Sequence, residues 1–375
     1  MKFTNVNPVT NSQQNKIIKS IISTIRKGDF ILGNNVKKFE KKFAILANTK
    51  FAVGCATGTD ALVLAIKSLN LKKNHEIIVP GMSYISTGLA ATLNNLKIVF
   101  AEIDADTGLI SLDSVKKKLS KNTKVVIPVN LYGQKVNIKE LRKIVGKKIF
   151  LIEDSAQSHF ASTCKDCSKT NHEFCFKNEN SQYYSDLSCF SFYPAKNLGA
   201  YGDAGIITTN NINIYKKLLI LRNLGSIKKN VHQYEGLNSR LDTLQASILL
   251  EKIKLTPSHN NYRRKISNFY DNELIFIPEI KLTETDPGSS RHLYVIRTKN
   301  RDKLLKFMLK NNIKCQMHYP YSLNKTGALK GKFKKSKLPI SEKWSNECLS
   351  LPLYPHMKFK DAEFVVKTIK KYFKY

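Results

Sequence analysis

The run SCFSFYPAKNLGAYGDAG, Ser188 to Gly205, decides how the rest of the chain is read. Cys189-Phe190-Ser191-Phe192 alternates apolar and small polar residues, the pattern of a short pleated strand. Pro194 stops the strand, and Lys196 follows in a turn that leads to Gly199, Gly202 and Gly205. A lysine close behind an apolar strand is partly desolvated. Desolvation disfavours its ammonium form and lowers its pKa, which is what an imine-forming lysine needs. Ser191, five residues earlier, places a hydroxyl where it can hold an anion such as a phosphate. In a chain with 62 Lys+Arg the ordinary alternative is a surface lysine in a glycine-rich loop. A second stretch weighs against it.

That stretch is IFLIEDSAQSH, Ile149 to His159. An apolar strand ends in Glu153 and Asp154, and small polar residues follow. Carboxylates at the carboxyl end of a parallel strand stand where α/β sheets place ligand chemistry. An acid there can hydrogen-bond a protonated pyridine nitrogen, the partner that makes pyridoxal phosphate an electron sink. Together the two stretches resemble the DegT/DnrJ/EryC1/StrS family of nucleotide-sugar aminotransferases, which are fold-type-I enzymes dependent on pyridoxal 5'-phosphate. The resemblance runs from about Phe30 to Leu274 and includes LYGQ at 131–134 and GLNSRLDTLQAS at 236–247.

The resemblance implies a mostly parallel, seven-stranded sheet in a large α/β domain, with a smaller C-terminal α+β domain. It implies Lys196 and Asp154 as catalytic residues, and a cofactor held by Gly58, Thr59, Tyr84, Asp154, Gln157, Ser191, Lys196 and Asn238. In the family the last of these reaches across a homodimer interface to the neighbouring subunit's cofactor phosphate. Tyr132, His159, Tyr193, His318 and Tyr319 are the candidates for contact with substrate. For Tyr84 a core tyrosine is the alternative, for Tyr132 a packing role, and for His318 a surface position. The family's usual histidine a few residues after 318 is missing, Asn324 standing in that region.

The remaining sequence is consistent with that fold. Ile17, Ile18, Ile21, Ile22 and Ile25 recur at helical spacing, and a second amphipathic helix carries Val36, Phe39 and Phe43. Phe51–Ala56 reads as a strand running into Thr57-Gly58-Thr59, a turn whose free N–H groups and helix dipole suit an anion. Strands around 76–80, 98–104 and 124–129 alternate with helices at the spacing of a parallel sheet with covering helices. The large domain is placed at 1–255 and the small one at 256–375.

Within the large domain a Cys-rich insert, at about 162–185, departs from the family pattern. It carries Cys164, Cys167, His172 and Cys175, spaced C-x2-C-x4-H-x2-C, a set able to close a structural zinc site. Cys-rich insertions without metal are the alternative.

Composition bounds the rest. Apolar residues at 42% and charged residues at 24% suit a globular protein of 375 residues. No run approaches a membrane span and no signal-peptide core opens the chain, so a cytoplasmic protein is expected. Seven cysteines without a disulfide framework fit reduced thiols. The net charge of +33 raises a basic nucleic-acid-binding or regulatory protein as an alternative. The basic residues are spread along the chain, however, and no recognition element for nucleic acid is present.

The expected activity is transfer of an amino group from an amino acid, glutamate foremost, to a keto group of a dTDP- or UDP-linked sugar. Amination at C3 is favoured, with the 4-keto sugar as alternative, for cell-surface polysaccharide (O-antigen) or glycoconjugate biosynthesis. Lys196 argues against the dehydratases of the family, which carry histidine in its place.

Overall fold

The computed structural model describes residues 1–162, 183–334 and 336–375. The cysteine and histidine positions of the insert, Cys164, Cys167, His172 and Cys175, lie outside the described residues.

Two helices open the chain. Thr10 caps α1 (Asn11–Lys27) in a reciprocal capping box with Gln13, and Gly28 ends it with a left-handed φ of 65°. After α2 (Asn34–Leu46) comes the main sheet, built from β1 (Phe51–Cys55), β2 (Glu76–Pro80), β3 (Lys97–Ala101), β4 (Thr123–Val126), β5 (Phe150–Asp154), β6 (Leu187–Ser191) and β7 (Gly205–Thr209). Its order is β1-β7-β6-β5-β4-β2-β3. The pairs from β6 through β5, β4 and β2 to β3 are parallel, and β7 runs antiparallel to both β1 and β6. The expected mostly parallel, seven-stranded sheet is therefore present.

Helices lie along both faces: α3 (Gly58–Lys67), α4 (Ile85–Leu93), α5 (Leu112–Lys118), α6 (Ile138–Val145) and α7 (Ile212–Leu221). Alternation along each strand feeds two cores. Ile77, Val79, Ile98 and Ile152 pack with α3 and α4, while Ile78, Val99, Val126 and Leu151 pack on the opposite face with Val115 and Leu141 of α5 and α6. Strands buried on both faces need continuous apolar runs, as in Ile77-Ile78-Val79.

A short hairpin, β8 (Ser226–Lys228) and β9 (Val231–His232), precedes α8 (Thr243–Lys252) and the long α9 (Thr256–Leu274). A separate antiparallel sheet follows, β10 (Lys281–Leu282), β11 (Tyr294–Arg297) and β12 (Cys348–Leu351), in that order. With α10 (Arg301–Lys310), α11 (Pro339–Glu347) and α12 (Phe359–Phe373) it completes the chain. Ile266, Tyr270 and Leu274 of α9 share a separate core with Ile296, Leu304 and Val365.

Candidate active site

Asp154 is the last residue of β5 and Ser191 the last of β6, so both stand at the carboxyl edge of the sheet. The backbone beneath is tied down: Asp154 N–H donates to Pro128 O at 2.9 Å, Asn130 N–H to Asp154 O at 3.0 Å, and Ser155 N–H to Cys189 O at 2.8 Å. A cavity of about 620 Å³ opens above this edge, lined by Asp154, Gln157, Ser191 and Lys196 together with Gly58 and Thr59.

Lys196 reaches that cavity because its loop folds back on β6. Ala200 N–H donates to Phe192 O and Lys196 N–H to Tyr193 O, each at 2.8 Å, and a Cβ on Gly199 would lie 2.4 Å from Pro194 O. Phe192 is fully buried below the loop, edge-on to Phe39 and Phe43. Burial brings the Lys196 ammonium down to about 8, with the charge of Asp154 pulling the other way. Burial raises Asp154 in turn, opposed by a hydrogen bond from Thr87 Oγ1 to its Oδ2 at 2.8 Å.

On the other side of the cavity α3 begins. Thr57 caps it by accepting from Asp60 N–H at 2.9 Å, which leaves Gly58 and Thr59 in the first turn, where a helix has N–H groups but no acceptors of its own. A Cβ on Gly58 would come 2.5 Å from Ser191 Cβ, so helix start and strand end abut and only glycine fits. The Thr59 and Ser86 hydroxyls are 2.7 Å apart. The result is an anion cradle of N–H groups and hydroxyls.

Gln157 is held at both ends of its amide. Its Oε1 accepts from Tyr132 N–H at 2.7 Å, and its Nε2 donates to Tyr319 Oη at 2.8 Å with one N–H left over. Tyr84, 56% exposed, and Tyr319 form a tilted ring pair across the cavity at 5.7 Å. His318 and Tyr193 also line it. Burial lowers His318 to about 4, so its imidazole is neutral, and its Nδ1 lies 2.8 Å from Ser350 Oγ.

Three residues singled out from the sequence stand elsewhere. Tyr132 is buried and is not among the lining residues: its hydroxyl donates to His318 O and accepts from Trp344 Nε1. His159 is fully buried between the rings of Phe190 and Phe192, below the cavity wall, and burial holds it at about 3. Asn238 is exposed, outside its own chain's cavity, and bridges to Asn223.

Sequence reasoning missed other parts of the wall. Phe3, Thr4 and Val6 line the cavity, and Phe3 stacks on His318 at 5.7 Å and 23°. Nothing local marks such a segment. Phe3 O accepts from Leu353 N–H at 3.3 Å, a contact far away in sequence. Ser83 and Ser86 were also missed, although a cluster of hydroxyls at the start of α4 in an otherwise apolar region was a usable signal.

An amine near neutral pKa, a buried carboxylate and an anion cradle around one cavity suit amine–carbonyl exchange on a cofactor carrying a phosphate and a basic ring nitrogen.

The model of the DegT/DnrJ/EryC1/StrS aminotransferase family matches residues 11–370. A dTDP-3-amino-3,6-dideoxy-alpha-D-galactopyranose transaminase of Aneurinibacillus thermoaerophilus is 34% identical over 99% of this chain and 99% of its own. A UDP-2-acetamido-2-deoxy-3-oxo-D-glucuronate aminotransferase of Pseudomonas aeruginosa is 32% identical over 92% of each chain. The solved structure of NtdA from Bacillus subtilis, with bound cofactor PMP, superposes with a TM-score of 0.89 at 25% identity, covering 100% of this chain and 85% of that one. With the sheet, the cavity and the Lys196 loop in place, the chain belongs to the DegT/DnrJ/EryC1/StrS aminotransferase family.

Proposed function

We propose that the chain is a pyridoxal 5'-phosphate-dependent aminotransferase that moves an amino group from glutamate to the C3 keto group of a dTDP- or UDP-linked deoxy sugar. The observation that carries it is Lys196, enclosed in the cavity and brought to about 8. The C3 and nucleotide assignments rest on the names of the relatives above.

When bound, pyridoxal phosphate supplies the electron sink that acidifies the Cα–H of an amino acid. The other roles belong to the chain. Lys196 Nζ, neutral in a large fraction near pH 8, takes the proton from the donor's Cα; in the second half of the cycle it delivers one to C3 of the sugar. Asp154 holds a carboxylate for the ring nitrogen, and one such charge pair is worth on the order of several kcal/mol at an effective dielectric constant of about 20. Gly58, Thr59 and Ser191 would hold the phosphate, Tyr84 would support the ring, and Gln157, with one N–H to spare, would hold the phenolic oxygen.

Tyr193, His318 and Tyr319 face the sugar. Asn238 of the partner subunit completes the phosphate site in a homodimer, which accords with its exposure here and with the exposed apolar face of Ile18, Ile22, Ile25 and Phe30. Residues 1–255 form the large domain and 256–375 the small one, and the cavity draws its walls from both. No described helix is long and apolar enough to cross a membrane, and a cytoplasmic site of action is in keeping with the proposed nucleotide-sugar substrates.

The test is an absorbance spectrum of the protein loaded with pyridoxal phosphate, before and after glutamate, beside Lys196→Ala. The expected result is a visible band that glutamate bleaches in the wild type and that the variant does not reproduce. Absence of any band in the wild type, even with added cofactor, overturns the reading.

A further inference from the structure

Asp154 lies deep in the protein, 6% exposed, and among the described residues no cation makes an ion pair with it. A buried carboxylate without a counter-ion reverts to its neutral acid unless hydrogen bonds hold the charge. One strong donor reaches it: Thr87 Oγ1, 2.8 Å from Asp154 Oδ2. The other contact, Ala156 N–H to Oδ1 at 3.3 Å, is long.

Thr87 is itself 0% exposed, and its oxygen lies 2.8 Å from Ser83 Oγ, which is 2% exposed. A hydroxyl has one proton to give, and an ionised carboxylate has none. Thr87 therefore donates to Asp154, and Ser83 donates to Thr87. Donors in series polarise one another in a dry interior. Ser83 precedes α4 and Thr87 is its third residue, so the four-residue spacing stacks the two hydroxyls on the side facing β5. Two hydroxyls spent there, inside the apolar layer of α4, displace packing that an alanine or valine would supply.

We propose that Thr87, backed by Ser83, is a positioning residue for the transamination: it pins Asp154 Oδ2 and keeps the carboxylate ionised, leaving Oδ1 for the ring nitrogen of the cofactor. The proposal rests on the cofactor reading above. The other groups facing Asp154 are Cys189 on β6, Tyr319 between β11 and β12, and Lys196 on the loop after β6. Burial holds the Cys189 thiol and the Tyr319 phenol protonated, so Lys196 is the facing group that changes charge near neutral pH.

The experiment uses the protein loaded with pyridoxal phosphate and compares wild type with Thr87→Val, Thr87→Ser and Ser83→Ala. Three quantities are read: the midpoint of the pH titration of the visible cofactor band, the cofactor Kd, and the single-turnover rate with glutamate. Removing the donor raises the proton affinity of Asp154, so its charge no longer stabilises a cation in the cavity. Thr87→Val is expected to move the midpoint down by about one pH unit and to slow the glutamate half-reaction about ten- to a hundredfold. Thr87→Ser restores both, and Ser83→Ala shifts both in the same direction by less.

A Thr87→Val protein that titrates like the wild type overturns the proposal and leaves the cofactor reading intact. If Thr87→Val does not fold, Ser83→Ala decides: an unmoved midpoint overturns the proposal. A wild type with no visible band overturns the cofactor reading and the proposal with it.

Discussion

At the scale of single residues, the cavity keeps two charges in an environment that favours neither. Lys196 titrates at about 8 in the folded chain against 10.5 when exposed. Between these values the unfolded chain binds the extra proton, so the stability of the cofactor-free protein rises with pH across that window. The Lys196 side chain remains partly open to the cavity, which discounts the effect to about 1–2 kcal/mol. Denaturant unfolding of wild type and Lys196→Met across the window should show this as a difference that narrows as pH rises. Asp154 has the opposite sign: burial raises it, so its ionised form costs the folded state stability at neutral pH. Asp154→Asn should leave the cofactor-free protein at least as stable as the wild type while slowing the glutamate half-reaction by about a hundredfold or more. A destabilised Asp154→Asn would mean that the carboxylate serves the fold. The residues carrying this chemistry, Lys196, Asp154 and Ser191, were legible from their place behind apolar strands, a local property. Tyr132 and His159 are just as close to the motifs, yet burial against Trp344 and against Phe190 and Phe192 takes them out of the cavity, and burial is not a local property.

At the scale of elements, the Lys196 loop depends on an aromatic platform. Phe192 lies 5.3 Å from Phe39 and 5.4 Å from Phe43, ring centre to ring centre, tying β6 to α2. Phe192→Ala should cost about 3–5 kcal/mol and weaken cofactor retention as the loop settles, measured by thermal unfolding and by dialysis of the loaded protein. The abutment of α3 on β6 gives a second prediction. Gly58→Ala drives a Cβ into Ser191, so it should cost about 1–3 kcal/mol and lower cofactor affinity more than it lowers stability. The N-terminal segment is the element the sequence did not disclose. Its anchors include Lys314 N–H on Met1 O, Leu353 N–H, just past β12, on Phe3 O, and the Tyr201 hydroxyl of the Lys196 loop on Asn7 Oδ1 at 2.6 Å. Phe3→Ala should raise the KM for the keto sugar several-fold while the visible band and its bleaching by glutamate persist, since Phe3 stacks on His318, which is proposed to face the sugar.

At the scale of the whole molecule, charge and assembly are the open variables. A net charge of +33 gives a field that attracts any polyanion, and a nucleoside diphosphate is one such ligand. Retention on heparin should vanish by about 0.5 M salt, as screening requires of diffuse charge, whereas a dedicated nucleic-acid surface would hold on beyond it. Assembly is tested by Asn238→Ala: sedimentation should show an unchanged dimer, with cofactor affinity lowered about tenfold or more through the neighbouring subunit's site. A monomeric wild type would sink that arrangement.

Strand and helix order, the parallel character of the sheet and the lysine–carboxylate pair were determined by the sequence alone. Apolar runs, their periods and the glycine and proline breaks act over a few residues and need no partner to be read. What the tertiary structure decided is who faces whom. It brought Phe3 to His318, turned Tyr132 toward Trp344, and set Thr87 under Asp154, pairs separated by tens to hundreds of positions. Those choices come from closing two sheets and their helices around shared cores, where each side chain's exposure is fixed by residues distant in the chain.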